Sequence, residues 1–143
     1  MTYATKQDLV DRFGERELLQ LTDRTNVPPS VVDDVVVGKA LADADAMIAG
    51  YVGKPYQLPL SVVPPVLTKI GADLARYYLH GEAADKDSVV TRNFNLALAW
   101  LKDVARGVVS IDANGEVPAQ VGGGAIRANP STRVFRRGTL EGL

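Results

Sequence analysis

Cysteine is absent from all 143 residues. Disulfide frameworks, thiolate metal sites and cysteine nucleophiles are therefore excluded in this chain, and the absence fits a reducing compartment. Histidine occurs once, at His80. Acyl-transfer chemistry needs a base placed beside a nucleophile, and no serine or aspartate stands at a spacing that supplies one. No apolar run approaches the ~20 residues of a membrane-spanning helix, so no membrane partner is expected. Charge of one sign is lacking too. Sixteen basic side chains stand against seventeen acidic ones, net −1, which leaves no global field for nucleic acid or an anionic membrane. The opening MTYATKQDLV has no apolar h-region, so no secretory signal is expected. These absences predict a soluble intracellular protein.

Enough apolar material is present for a real core. Hydrophobic residues make up 46% and charged residues 23%, which argues against wholesale disorder and fits one domain. The patterning is helical from the start. Thr5 followed by Asp8 reads as a helix-start capping pattern. Leu9 and Phe13 lie one turn apart, Gly14 interrupts, and Glu15 to Leu21 resumes. This predicts two short helices with a break at Gly14. A polar loop from Thr22 to Pro29 follows, and Ser30, with Asp33 three residues on, reads as the next N-cap.

The β-branched run Val31 to Val37 invites a strand, but its Ala-rich continuation to Ala49 argues for one long helix. Leu41, Ala44, Ile48 and Tyr51 keep the helical spacing, and Lys54-Pro55 stops it. Tyr56 to Val63 is a short apolar loop. Pro64-Pro65 opens another helix, where the missing amide costs nothing. Val66, Leu67, Ile70, Leu74, Tyr77 and Tyr78 form its stripe, and Gly81 ends it. Asp87 or Ser88 caps a last helix, with Val90, Phe94, Leu98, Leu101 and Ala105 on its buried face, widened by Ala97 and Val104. Gly107 ends that helix, and Val108 to Ile111 reads as a short extended piece.

The fold class so predicted is all-α: a small bundle of four to five helices over residues 1–107. Residues 108–143 form an extended, largely irregular C-terminal arm. Asp112-Ala113-Asn114-Gly115 is a turn signal. From Gly122 onward four arginines (Arg127, Arg133, Arg136, Arg137) stand against one glutamate, a local excess of three positive charges. Val134, Phe135 and Leu140 add apolar anchors. A long irregular stretch in a small domain usually has a role. The residues from Gly122 to Leu143, if extended, would reach roughly 70 Å at ~3.3 Å per residue. Such a segment is either a frayed terminus or a docking element. As a docking element its apolar anchors favour a protein partner; the alternative is a small helical module that binds nucleic acid through the arm.

No constellation for chemistry emerges. His80 lies at a predicted helix end, where a cation is favourable. Asp43 and Asp45 are two apart and do not share a helix face. Asp33-Asp34 and Asp85/Asp87 match no calcium-loop or metal spacing, and all read as caps or solvated positions. Gly122-Gly123-Gly124 lacks the Lys-Ser/Thr of a phosphate loop. Tyr51, Tyr56, Tyr77, Tyr78 and Trp100 could form a stacking surface, but apolar neighbours make core or subunit interface the better reading. No enzyme, metal or cofactor is expected.

Five blocks carry a resemblance: YATKQDLVDRFGERELLQLTDR (Tyr3 to Arg24), ALADADAMIAGYVGKPYQLPL (Ala40 to Leu60), VPPVLTKIGADLARYYL (Val63 to Leu79), ALAWLKDVARGVVSI (Ala97 to Ile111) and RVFRRGTLEGL (Arg133 to Leu143). In this order they resemble the Mu-like phage and prophage gp36 family of small morphogenesis proteins. That family is similar to the head–tail connector, or adaptor, proteins of tailed phages. The resemblance implies a virion neck protein, held in the host cytoplasm before assembly. Copies would form a ring, commonly of twelve, beneath the portal protein. The ring would extend the DNA channel, let DNA pass without sequence-specific binding, and offer a platform to the next neck or tail-completion protein. In related adaptors a C-terminal segment docks onto the portal. Carried over, the contact residues for portal or neighbouring subunit are Arg133, Val134, Phe135, Arg136 and Leu140.

Overall fold

The computed structural model describes residues 1–111. Five α-helices follow one another: α1 (Lys6–Phe13), α2 (Glu15–Thr22), α3 (Asp34–Val52), α4 (Pro65–His80) and α5 (Val89–Ala105), with a single 3₁₀ turn at Gly81–Ala83. No strand occurs among the described residues. The expected all-α bundle is what forms; the expected arm lies outside the described residues from residue 112 on.

The helix ends follow from local chemistry. Thr5 Oγ1 accepts the Asp8 N–H at 3.3 Å, and Asp8 Oδ2 accepts the Thr5 N–H at 2.7 Å, a reciprocal capping box that starts α1. Gly14 then takes φ +86° between α1 and α2, a conformation that costs other residues energy. The turn there lets both Leu9 and Leu18 face inward, where each is fully buried. The Thr22 hydroxyl is buried, donating to the Leu18 carbonyl at 2.7 Å and accepting the Asp33 N–H at 3.1 Å. It therefore joins the end of α2 to the start of α3.

The start of α3 differs from the sequence expectation. Asp33, not Ser30, is the N-cap: its Oδ1 accepts the N–H groups of Val35 at 2.9 Å and Val36 at 3.3 Å. The Ser30 N–H instead donates to Asp23 Oδ2 at 2.9 Å. An aspartate caps as well as a serine, and Asp23 holds Ser30 in the preceding loop. The end of α3 comes at Val52, just before Lys54-Pro55, and α4 opens with Pro65 in its first turn. Of the two candidate caps for α5, Ser88 is used; its Oγ accepts the Thr91 N–H at 3.2 Å.

The central helix is α4, packed against α3, α5 and the α1–α2 pair. Its buried side includes Leu67, Ile70, Leu74 and Ala75. Fully burying one such leucine contributes about 1.5–3 kcal/mol, so this helix is the main hydrophobic contributor. Gly71 lies where the N-terminal segment crosses α4. A Cβ there would stand 3.1 Å from the Ala4 Cβ and 3.5 Å from Ile48 Cδ1. Beyond α5 the chain bends through Val108 and Val109 without strand pairing, unlike the extended piece expected there. Ile111 is buried again, beside Tyr56.

Candidate assembly surface

Helices α4 and α5 leave a groove between them. Val66, Lys69, Ile70 and Asp73 line one wall, at the i, i+3, i+4, i+7 positions of α4. Asn93, Leu96, Ala97 and Trp100 line the other, at the same spacing on α5. These intervals place four side chains on one helical face. The groove encloses about 190 Å³. Its rim is apolar and wet: Leu96 is 63% exposed and Val66 38%. Its polar side chains are Lys69, Asp73 and Asn93; that of Asp73 is only 7% exposed, and its Oδ2 accepts from Lys69 Nζ at 2.7 Å. A lone apolar side chain on a surface needs no explanation, whereas a lined apolar groove reads as a contact site.

On the opposite flank a different polar cluster ties α2 to α4. Arg76 Nε donates to Glu17 Oε1 at 2.6 Å and its Nη2 to Oε2 at 3.0 Å. The guanidinium also lies 4.3 Å from the centre of the Phe13 ring. His80 Nε2 stands 3.3 Å from the same Glu17 Oε1. The only histidine is thus engaged in an inter-helix cluster, at the helix end where the sequence placed it. Near it Tyr77 stacks on Phe94 with ring centres 3.9 Å apart, and Tyr78 meets the same ring edge-on at 6.1 Å. These aromatics join α4 to α5, as the interface-or-core reading expects.

A third feature is the loop between α2 and α3. Asp23 accepts from the backbone N–H groups of Thr25, Asn26, Ser30 and Val31 at 2.9–3.1 Å, and from Asn26 Nδ2 at 2.9 Å. The Ser30 bond, followed by those of Asn26, holds the Asp23 carboxyl far below the usual carboxylate range. The loop so organised presents Val27 and Val31 to solvent. Asp45 moves the other way: burial raises its pKa, against the opposing bond from the Tyr3 N–H at 2.8 Å. Burial, and then Asp45, raises the Tyr3 phenol. Burial, and then Asp43, raises Tyr78.

Among the described residues, no cluster of three or more His, Asp or Glu could hold a metal ion. Asp33 caps α3 and Asp45 braces the Tyr3 amide. The arm residues Arg133, Val134, Phe135, Arg136 and Leu140 lie outside the described residues. Sequence reasoning missed the Glu17–Arg76 pair, the Asp23 loop and the groove. The groove did leave a signal: Leu96 and Trp100, one turn apart, fall off the buried stripe of α5 and form a second apolar edge.

The sequence pattern of the family described as Bacteriophage Mu, Gp36 matches residues 3–128. Gene product J of Escherichia phage Mu is 35% identical over 107 residues, covering 75% of this chain and 74% of that protein. The Mu-like prophage FluMu protein gp36 of Haemophilus influenzae is 30% identical over 109 residues, covering 76% of this chain and 74% of that protein. The groove, the Glu17–Arg76 cluster and the Asp23 loop all lie within the matched span, and the chain belongs to the bacteriophage Mu Gp36 family.

Proposed function

We propose that this phage protein is a head–tail connector subunit that works by binding and not by catalysis. In this reading copies close a ring, commonly of twelve, beneath the portal. The ring extends the DNA channel and offers a platform to the next neck or tail-completion protein. The protein stands at the virion neck and waits in the host cytoplasm before assembly. The basic-apolar segment with Arg133, Val134, Phe135, Arg136 and Leu140 contacts the portal or an adjoining copy.

The observation that carries the reading is membership of the Mu Gp36 family over residues 3–128, joined to that family's likeness to connector proteins. Physical features support it. A half-buried Trp100 beside a largely exposed Leu96 has little use in an isolated domain. Many such weak contacts around a ring add up through effective concentration. In residues 1–111 fourteen acidic side chains outnumber twelve basic ones, so a channel wall built from them would not retain passing DNA. The same balance weighs against the nucleic-acid-binding alternative.

Locating the protein in purified particles tests the reading. Labelled copies are expected at the junction of head and tail, and loss of the gene is expected to leave filled heads without joined tails. Absence of the protein from particles, or its distribution along the tail, overturns the proposal.

A further inference from the structure

We infer that the α4–α5 groove receives residues 133–140 of a neighbouring copy of this chain. The inference rests on the reading that copies assemble side by side, and it names the surface by which they do so.

The groove and the segment match in chemistry. Val66, Ile70, Leu96 and Trp100 offer an apolar trough wide enough for one or two side chains, at about 190 Å³. Val134 and Phe135 are adjacent apolar residues of a size to enter it, and an aromatic ring packs well on Trp100. Arginine brackets them on both sides, at Arg133 and Arg136. Asp73 sits in the groove wall with its side chain almost fully buried. Its ion partner among the described residues is Lys69, a side chain 60% exposed on the same helix. A guanidinium arriving with the segment gives Asp73 a planar, two-pronged donor that a solvated lysine does not provide. The wider charge balance agrees. Residues 1–111 carry an excess of two negative charges, and residues 122–143 an excess of three positive ones.

Length permits a neighbour's groove as well as the chain's own. The chain leaves the described structure at Ile111, which is buried and bonded to Tyr56. Residues 112–132 then separate that point from Arg133. Twenty-one residues reach as far as roughly 70 Å when extended. A folded core of this size is only about 35 Å across. The segment can therefore reach a groove on an adjacent copy, and the side-by-side assembly of copies selects that groove over the chain's own.

The absence of cysteine makes a direct test available. One chain carries Leu96→Cys and a second, differing in tag length, carries Phe135→Cys; the two full-length proteins are mixed and oxidised. Leu96 is largely exposed, so its replacement leaves the core intact. The covalent heterodimer is expected at least tenfold above that formed when Glu82→Cys, an exposed position outside the groove, replaces Leu96→Cys. Adding Arg136→Glu to the Phe135→Cys chain is expected to lower the yield severalfold. Equal yields from Leu96→Cys and Glu82→Cys overturn the inference. So does a doubly substituted chain, Leu96→Cys with Phe135→Cys, that closes on itself as a covalent monomer at every dilution, because the occupant is then the chain's own segment. The connector reading fails separately. Protein found at the neck without the groove crosslink overturns the docking alone, and crosslinked copies absent from particles overturn the connector role alone.

Discussion

The Tyr56 hydroxyl accepts the backbone N–H of Ile111 at 2.6 Å and lies 3.4 Å from the carbonyl oxygen of the same residue. Both residues are buried. One side chain from the loop after α3 thus satisfies both backbone groups of the last described residue. It fixes the point from which the rest of the chain departs.

Tyr56→Phe removes that partner and changes little else. The Ile111 N–H is left buried without an acceptor, which costs about 1–3 kcal/mol. For a domain of this size the melting temperature is expected to fall by about 4 °C per kcal/mol. Hydrogen exchange at the Ile111 amide is expected to accelerate at the same time. An unchanged exchange rate at Ile111 in the variant would show that Tyr56 is not its anchor.

Asp23 governs the acid response of the α2–α3 loop. Its carboxyl is held below the ordinary range by the Ser30 and Asn26 bonds, so the folded state favours the ionised form more than the unfolded chain does. The stabilisation is complete above the unfolded pKa of about 3.9 and is lost as pH falls through the lower folded value. Amide exchange at Asn26, Ser30 and Val31 is therefore expected to stay slow near neutrality and to rise only in strong acid, after correction for intrinsic rates. Asp23→Ala is expected to make those amides exchange fast at neutral pH. Slow exchange in that variant contradicts the role given to Asp23.

Local chemistry was legible in the sequence and distant pairing was not. Thr5 and Asp8, Gly14, Pro65, Ser88 and the apolar stripes each act over a few residues, and each stands where its pattern puts it. Ser30 does not cap α3 because Asp23, seven residues upstream, holds its amide in the loop; an equally good cap, Asp33, stands three residues on. Glu17 and Arg76 are 59 residues apart, and no spacing rule joins them. The groove was half legible. Leu96 and Trp100 can be read off α5, but their pairing with Val66 and Ile70 depends on how α5 lies against α4.

The Glu17–Arg76 pair holds α2 onto the central helix. Both side chains are about three-quarters buried, and the geometry is two-pronged, which is where an ion pair contributes most. Arg76→Ala is expected to cost about 2 kcal/mol in urea unfolding, from the lost hydrogen bonds and the lost Phe13 contact. Arg76→Lys keeps the charge but not the fork, and roughly half of the loss is expected to remain. A double-mutant cycle with Glu17→Gln measures the coupling directly. Coupling near zero would mean that Arg76 contributes through packing alone.

Two helical glycines separate backbone entropy from packing. Gly38 lies in α3 with no neighbouring atom within 4 Å of where a Cβ would stand. Gly38→Ala is therefore expected to stabilise the fold by about 0.5–1 kcal/mol, the usual difference between these residues inside a helix. Gly71 in α4 faces the opposite situation. The Ala4 Cβ would be 3.1 Å from its new Cβ, and Ala4 is fully buried beside Tyr3, whose N–H is held by Asp45. The N-terminal segment has little room to give. Gly71→Leu is expected to destabilise by about 1–3 kcal/mol or more through overpacking, despite its better helix propensity. Chemical denaturation of the two variants checks both signs, and a stabilised Gly71→Leu protein would show that the N-terminal segment does not pack on α4 as described.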